Sequence, residues 1–88
     1  MTERVEEPLT TVQRATVNAV MRFSAERGYP PTYRDLCQLM GWKSTNAATQ
    51  MVERLARKGW LAFDAGVART IRGTEAAHDE ATKQPRAI

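Results

Sequence analysis

Glycines at 28, 41 and 59 cut the middle of this sequence into three stretches, each with apolar residues at helical spacing. In the first, Thr10 and Gln13 stand three apart, the spacing of a reciprocal capping box, which predicts a helix from about Thr11 to Arg27. Val17, Val20, Met21 and Ser24 share its inner face, with Leu9 and Val12 ahead of them, and Gly28 stops it. Tyr29-Pro30-Pro31 must then run extended, because a residue preceding proline avoids helical geometry. Thr32 opens the second helix, with Asp35 set to complement its exposed amides and Leu36, Leu39 and Met40 as its apolar stripe. After Gly41, Trp42-Lys43-Ser44-Thr45 has room only for a turn.

The third helix is predicted from Asn46 to Lys58, capped by Ser44 or Thr45. Ala48, Met51, Val52 and Leu55 lie on one side, while Asn46, Gln50, Glu53 and Arg57 lie on the other. Ala47, Thr49 and Arg54 flank that polar side. Beyond Gly59 the period changes. Trp60-Leu61-Ala62-Phe63 and Thr70-Ile71-Arg72 read as two short strands joined by a loop over residues 64–69. Two short helices across a tight turn cannot bury both apolar faces alone; a longer helix must roof them and a hairpin must close the open edge. The expected fold is therefore mainly α with a small β-hairpin, a winged helix-turn-helix of three helices and a two-stranded wing. Residues 9–73 form this domain, residues 1–8 are expected to be a flexible N-terminus, and residues 74–88, polar and without apolar periodicity, a flexible tail.

Charge points to the partner. Residues 8–73 carry ten Lys or Arg against four acids, more than the whole chain's net +3, so the excess sits in the part that folds. A polyanion is the natural complement. The single cysteine, Cys37, allows neither an internal disulfide nor a multi-cysteine zinc site and is expected to pack as a small apolar group. No apolar run approaches the ~18 residues of a membrane span, and Glu3, Glu6 and Glu7 are unlike a secretory leader. A cytoplasmic, nucleoid-associated protein without a cofactor is expected.

The opening of the third helix suits double-stranded DNA. The major groove, about 12 Å wide, admits one α-helix, and a helix entering by its N-terminus brings its first residues to the base edges. Asn46 and Gln50 can each pair bidentately with adenine, Ala47 can meet a thymine methyl, and small residues at 47, 48 and 49 allow close approach. Asn46, Ala47, Thr49 and Gln50 are the base-reading candidates. Ser44 and Thr45 can contact phosphate, cap the helix, or do both. With them, Lys43, Arg54, Arg57, Lys58 and Arg69 form the backbone-contacting set. Trp42 and Trp60 could stack on bases but are expected to pack in or beside the core.

Three stretches carry a resemblance: Gly28-Tyr29-Pro30-Pro31-Thr32, the run from Leu39 to Ala48, and Leu55-Ala56-Arg57-Lys58-Gly59. Together with the loop from Gly66 to Arg72, they resemble the N-terminal domain of the LexA repressor family from about Leu9 to Arg72. The resemblance implies a winged domain reading a half-site in the major groove, with DNA contacts by Ser44, Asn46 and Ala47. Two further reading positions, acidic in the best-known members, are Thr49 and Gln50 here. Since glutamine prefers adenine where a carboxylate accepts from cytosine, the resemblance implies a shifted operator rather than lost binding. LexA proteins also carry a C-terminal domain that dimerises and cuts its own chain through a Ser-Lys pair. Nothing of that kind is evident here, so self-cleavage is not expected.

The expected function is a stand-alone bacterial or phage transcription regulator, a repressor by resemblance, acting as a homodimer on DNA or with a second regulatory protein. A protein-interaction module binding a repressor or polymerase is the alternative, and Glu53 beside the reading face favours it because a carboxylate near phosphate is costly. Catalysis is not expected. His78 is the only histidine and lies among acids, and no phosphate loop or nucleophile–base pair accompanies it.

Overall fold

The computed structural model describes residues 9–83; the expectations for residues 1–8 and 84–88 lie outside the described residues. Helix α1 (Thr11–Arg27) begins at the anticipated capping box: the Gln13 amide donates to Thr10 Oγ1 and the Thr10 amide to Gln13 Oε1, both at 3.1 Å. It ends at Gly28, whose φ of 82° lets the chain turn left-handed, a conformation that a side chain at this position would oppose. Helix α2 (Tyr33–Met40) repeats the device with Thr32 and Asp35, each amide donating to the other's side chain at 3.0 Å. Helix α3 (Thr45–Arg57) starts and ends one residue earlier than its sequence pattern suggested, with Lys58 as its C-cap.

Strands β1 (Leu61–Ala62) and β2 (Arg72–Gly73) pair antiparallel, Leu61 opposite Gly73 and Ala62 opposite Arg72. Both are shorter than anticipated, and the second begins two residues later. The loop between them is the wing.

Val17 and Val20 of α1, Leu36 and Cys37 of α2, and Ala48, Val52 and Leu55 of α3 meet in one core with Trp60, Leu61 and Ile71. Helices α1 and α3 both pack against α2, while β1 backs onto α3 and β2 onto α1. That arrangement corrects two inward assignments. Val12 is 48% and Leu39 52% exposed, because α1 buries Gln13 and Thr16 instead, and α2 turns Leu36 and Cys37 to its neighbours. The buried polar side chains of α1 are hydrogen-bonded, whereas Trp60 Nε1 is buried without a partner. Thr16 Oγ1 donates to the Val12 carbonyl at 2.8 Å, and Gln13 serves the cap.

The larger correction lies beyond the wing. Residues 75–83, expected to be flexible, form helix α4 (Glu75–Lys83). Thr74 starts it by accepting from the Ala77 amide at 3.4 Å, while its own hydroxyl donates to the Gly59 carbonyl at 2.6 Å. Ala77 is 2% exposed, and a Cβ placed on Gly73 would meet it at 3.4 Å and Met21 Cγ at 3.1 Å. The helix lies on β2 through small side chains, which is why hydrophobic periodicity did not reveal it.

Candidate nucleic-acid interface

The turn between α2 and α3 is tied at both ends. Amides of Gly41 and Trp42 donate to the Cys37 carbonyl at 2.8 and 2.9 Å, and the Cys37 thiol donates to the Ser44 carbonyl at 3.1 Å. Cys37 thus packs as a buried group and fastens the start of α3 to α2. Trp42 packs half-buried against the core, and Trp60 lies within it, so neither indole is presented for stacking.

Ser44 occupies the N-cap in extended geometry, yet its side chain makes no capping bond. The hydroxyl is exposed, as are Lys43 and Thr45. Along α3, Asn46, Ala47, Gln50, Glu53, Arg54 and Arg57 are exposed on the face opposite Ala48, Val52 and Leu55. Thr49 is half-buried, its hydroxyl donating to the Thr45 carbonyl at 3.0 Å, so its proton is held within the helix. One helix face therefore gathers a short polar N-terminal half and a basic C-terminal half.

Two of the anticipated backbone contacts are placed elsewhere. Lys58 turns away from that face: its ammonium donates to Gln13 Oε1 on α1 at 3.2 Å, joining the end of the third helix to the start of the first. Arg69 points back from the wing to the helices. Its Nη1 donates to the Pro30 carbonyl at 3.0 Å and lies 3.3 Å from Asp35 Oδ2, and its guanidinium carbon sits 4.5 Å from the centre of the Tyr29 ring. Charge and proximity in sequence alone point both cations to phosphate. Gln13 lies 45 positions from Lys58, and the partners of Arg69 lie 34 to 40 positions away, beyond any local pattern.

Electrostatics around α2 follow from the same contacts. The Asp35 carboxyl is held below the usual carboxylate range, chiefly by the Thr32 amide and further by the Thr32 hydroxyl and Arg69, which outweigh its partial burial. Tyr33 is pushed up by burial and by the Glu53 carboxylate. Tyr29, Asp35 and Tyr33 were not among the anticipated site residues; a tyrosine before two prolines and an acid inside a capping box are local signals that pointed only to a connector and a helix start.

The family described as the LexA DNA binding domain matches residues 6–70. A LexA repressor from Halorhodospira halophila is 46% identical over 68 residues, covering 77% of this chain and 30% of that protein. One from Cellvibrio japonicus is 39% identical over 67 residues, covering 76% of this chain and 34% of its own length. LexA repressor 1 from Pseudomonas syringae pv. tomato is 38% identical over 76 residues, 84% of this chain and 38% of that protein. The chain thus spans about a third of the length of these relatives. No helix among the described residues is long and apolar enough to cross a membrane. The winged helix-turn-helix, the exposed polar start of α3 and the match over residues 6–70 agree, and the chain belongs to the LexA DNA-binding domain family.

Proposed function

We propose that this domain binds double-stranded DNA in a sequence-specific way and acts as a transcriptional repressor, with α3 in the major groove. The observation that carries this is the exposed run from Lys43 to Ala47 with Gln50, set on a helix whose other side is locked into the core. Asn46, Ala47 and Gln50 reach the base edges, Thr49 contributes its methyl and lone pairs, and Lys43, Ser44, Thr45, Arg54 and Arg57 hold the phosphates. Glutamine at 50 favours adenine at the base beneath it. The chain binds without catalysing a reaction. Tight repression requires a second copy on the DNA or a second regulatory protein, since single modules bury only about 600–1,000 Å².

Selection of bound duplexes from a random pool defines the half-site, and a salt titration on that duplex tests the docking. Arg57→Ala is expected to weaken binding to all sequences and to flatten the log–log salt dependence by about one unit. An unchanged slope would remove α3 from the phosphate backbone. A parent chain that gives no salt-sensitive retardation would favour a protein partner instead.

A further inference from the structure

We infer that Arg69 is a positioning residue for DNA binding: by bridging Tyr29, Pro30 and Asp35 it fastens the wing at a fixed distance from α3. The inference rests on the DNA-binding reading above and assigns to Arg69 a task other than gripping phosphate. Hydrogen bonds at Asp64, Val67 and Thr70 stay inside the wing loop: the Val67 amide donates to the Asp64 carbonyl at 3.1 Å, and Thr70 Oγ1 donates to the Val67 carbonyl at 3.0 Å. These bonds shape the loop without attaching it. Beneath it lies a cleft of about 250 Å³, with Thr32 and Tyr33 on the helix side and Phe63, Val67 and Ile71 among its wing-side residues. Close packing does not fill this gap, and Arg69 spans it.

Every partner of Arg69 is itself fixed. The Asp35 oxygen it approaches at 3.3 Å also accepts the Thr32 amide at 3.0 Å. The Pro30 carbonyl belongs to a two-proline connector whose second ring is buried. Tyr29 meets Phe23 edge-on at 5.8 Å, and Arg27 lies over Phe23 at 4.9 Å, so a pair of rings runs between a cation of α1 and the cation of the wing. Arg69 also has a φ of 59°, a left-handed backbone that a bulky side chain adopts at a cost and keeps only where surrounding contacts hold it. A phosphate recruiting this guanidinium would have to take it from a carboxylate, whereas a planar fork already stacked and bridged makes a strut. With the strut in place, the exposed tip of the wing meets the duplex at one distance from α3, so less ordering accompanies binding.

The test uses the full chain, fluorescence anisotropy on the selected duplex over a salt series, and amide hydrogen exchange of the wing. Arg69→Lys keeps the charge but loses the fork and the stacking; Asp35→Asn keeps an acceptor for the Thr32 amide but loses the ion pair. Both are expected to weaken binding about tenfold with the parent salt slope, and to speed exchange at residues 65–69. The Asp35→Asn result is diagnostic, because removing an acid beside a polyanion would by charge alone tighten binding. Urea midpoints establish that each variant is folded in the assay, and Tyr29→Leu, which preserves both charges and the cap, carries the same test if Arg69→Lys is unfolded. Parent-like affinity and exchange in Arg69→Lys overturns the positioning role. So does Asp35→Asn binding more tightly while Arg69→Ala lowers the slope by about one, the signature of a phosphate contact. If the parent fails to bind any duplex, the DNA reading falls, and wing exchange in Arg69→Lys still decides whether the strut exists.

Discussion

Asn46 is a poor helix former in the first turn of α3, with its amide exposed and the neighbouring Ser44 hydroxyl left out of the cap. Such a placement costs stability in the free protein and gains only when the amide finds a partner with two matched hydrogen-bonding atoms. Adenine offers that in the major groove. Asn46→Ala is therefore expected to lose about 1–3 kcal/mol on the selected site and almost nothing on duplexes substituted at the base it reads. Competition with a set of single-base variants measures this; an equal loss on every duplex would make Asn46 a helix-start residue only. At this scale the exposures of Asn46, Gln50, Arg54 and Arg57 were legible, because they follow from the helical angle separating them from Ala48, Val52 and Leu55. The placements of Lys58 and Arg69 were not. Their partners come from the start of α1, from the α1–α2 connector and from α2, and only tertiary folding brings them near.

Among the elements, α1 and α2 were readable to within a residue because Thr10–Gln13 and Thr32–Asp35 are complete signals over four positions. Asp35 also makes α2 pH-sensitive. Its folded pKa is depressed, so the cap and the Arg69 contact contribute fully above the unfolded value of about 3.9 and are lost as pH falls through the lower folded value. Urea midpoints measured across acid pH should fall in that window, and Asp35→Asn should remove part of the fall while leaving the midpoint near neutrality lower than the parent's. Helix α4 escaped notice for the opposite reason: Ala76 and Ala77 give it almost no hydrophobic contrast, and its docking depends on Gly73 and Met21 leaving space for an alanine. Ala77→Asp would place a carboxylate in that space, a cost that α4 avoids by detaching. The expected result is a loss of about 1–3 kcal/mol in stability with operator affinity unchanged, since α4 docks on β2 and the reading residues lie on the exposed face of α3. A parallel loss of DNA affinity in a folded variant would give α4 a part in binding.

For the molecule as a whole, charge and size set opposite limits. Ten cations against four acids between residues 8 and 73 supply long-range attraction to any duplex. A single winged module nevertheless buries too little surface to hold one site against a genome of competitors. Among the described residues, the large apolar side chains left exposed, Val12, Tyr29, Leu39 and Val67, are spread over α1, the connector, α2 and the wing rather than concentrated on one element. Pairing is then expected on DNA, where two half-sites whose centres lie about one helical turn apart bring two copies onto one face of the duplex. Titration of the parent on duplexes carrying one half-site or two separates the cases. Cooperative pairing gives a two-copy complex at protein concentrations below those that fill the single half-site, and shifting one half-site by half a turn abolishes it. Independent filling of both sites with no dependence on phasing would mean that the missing affinity is supplied by another protein.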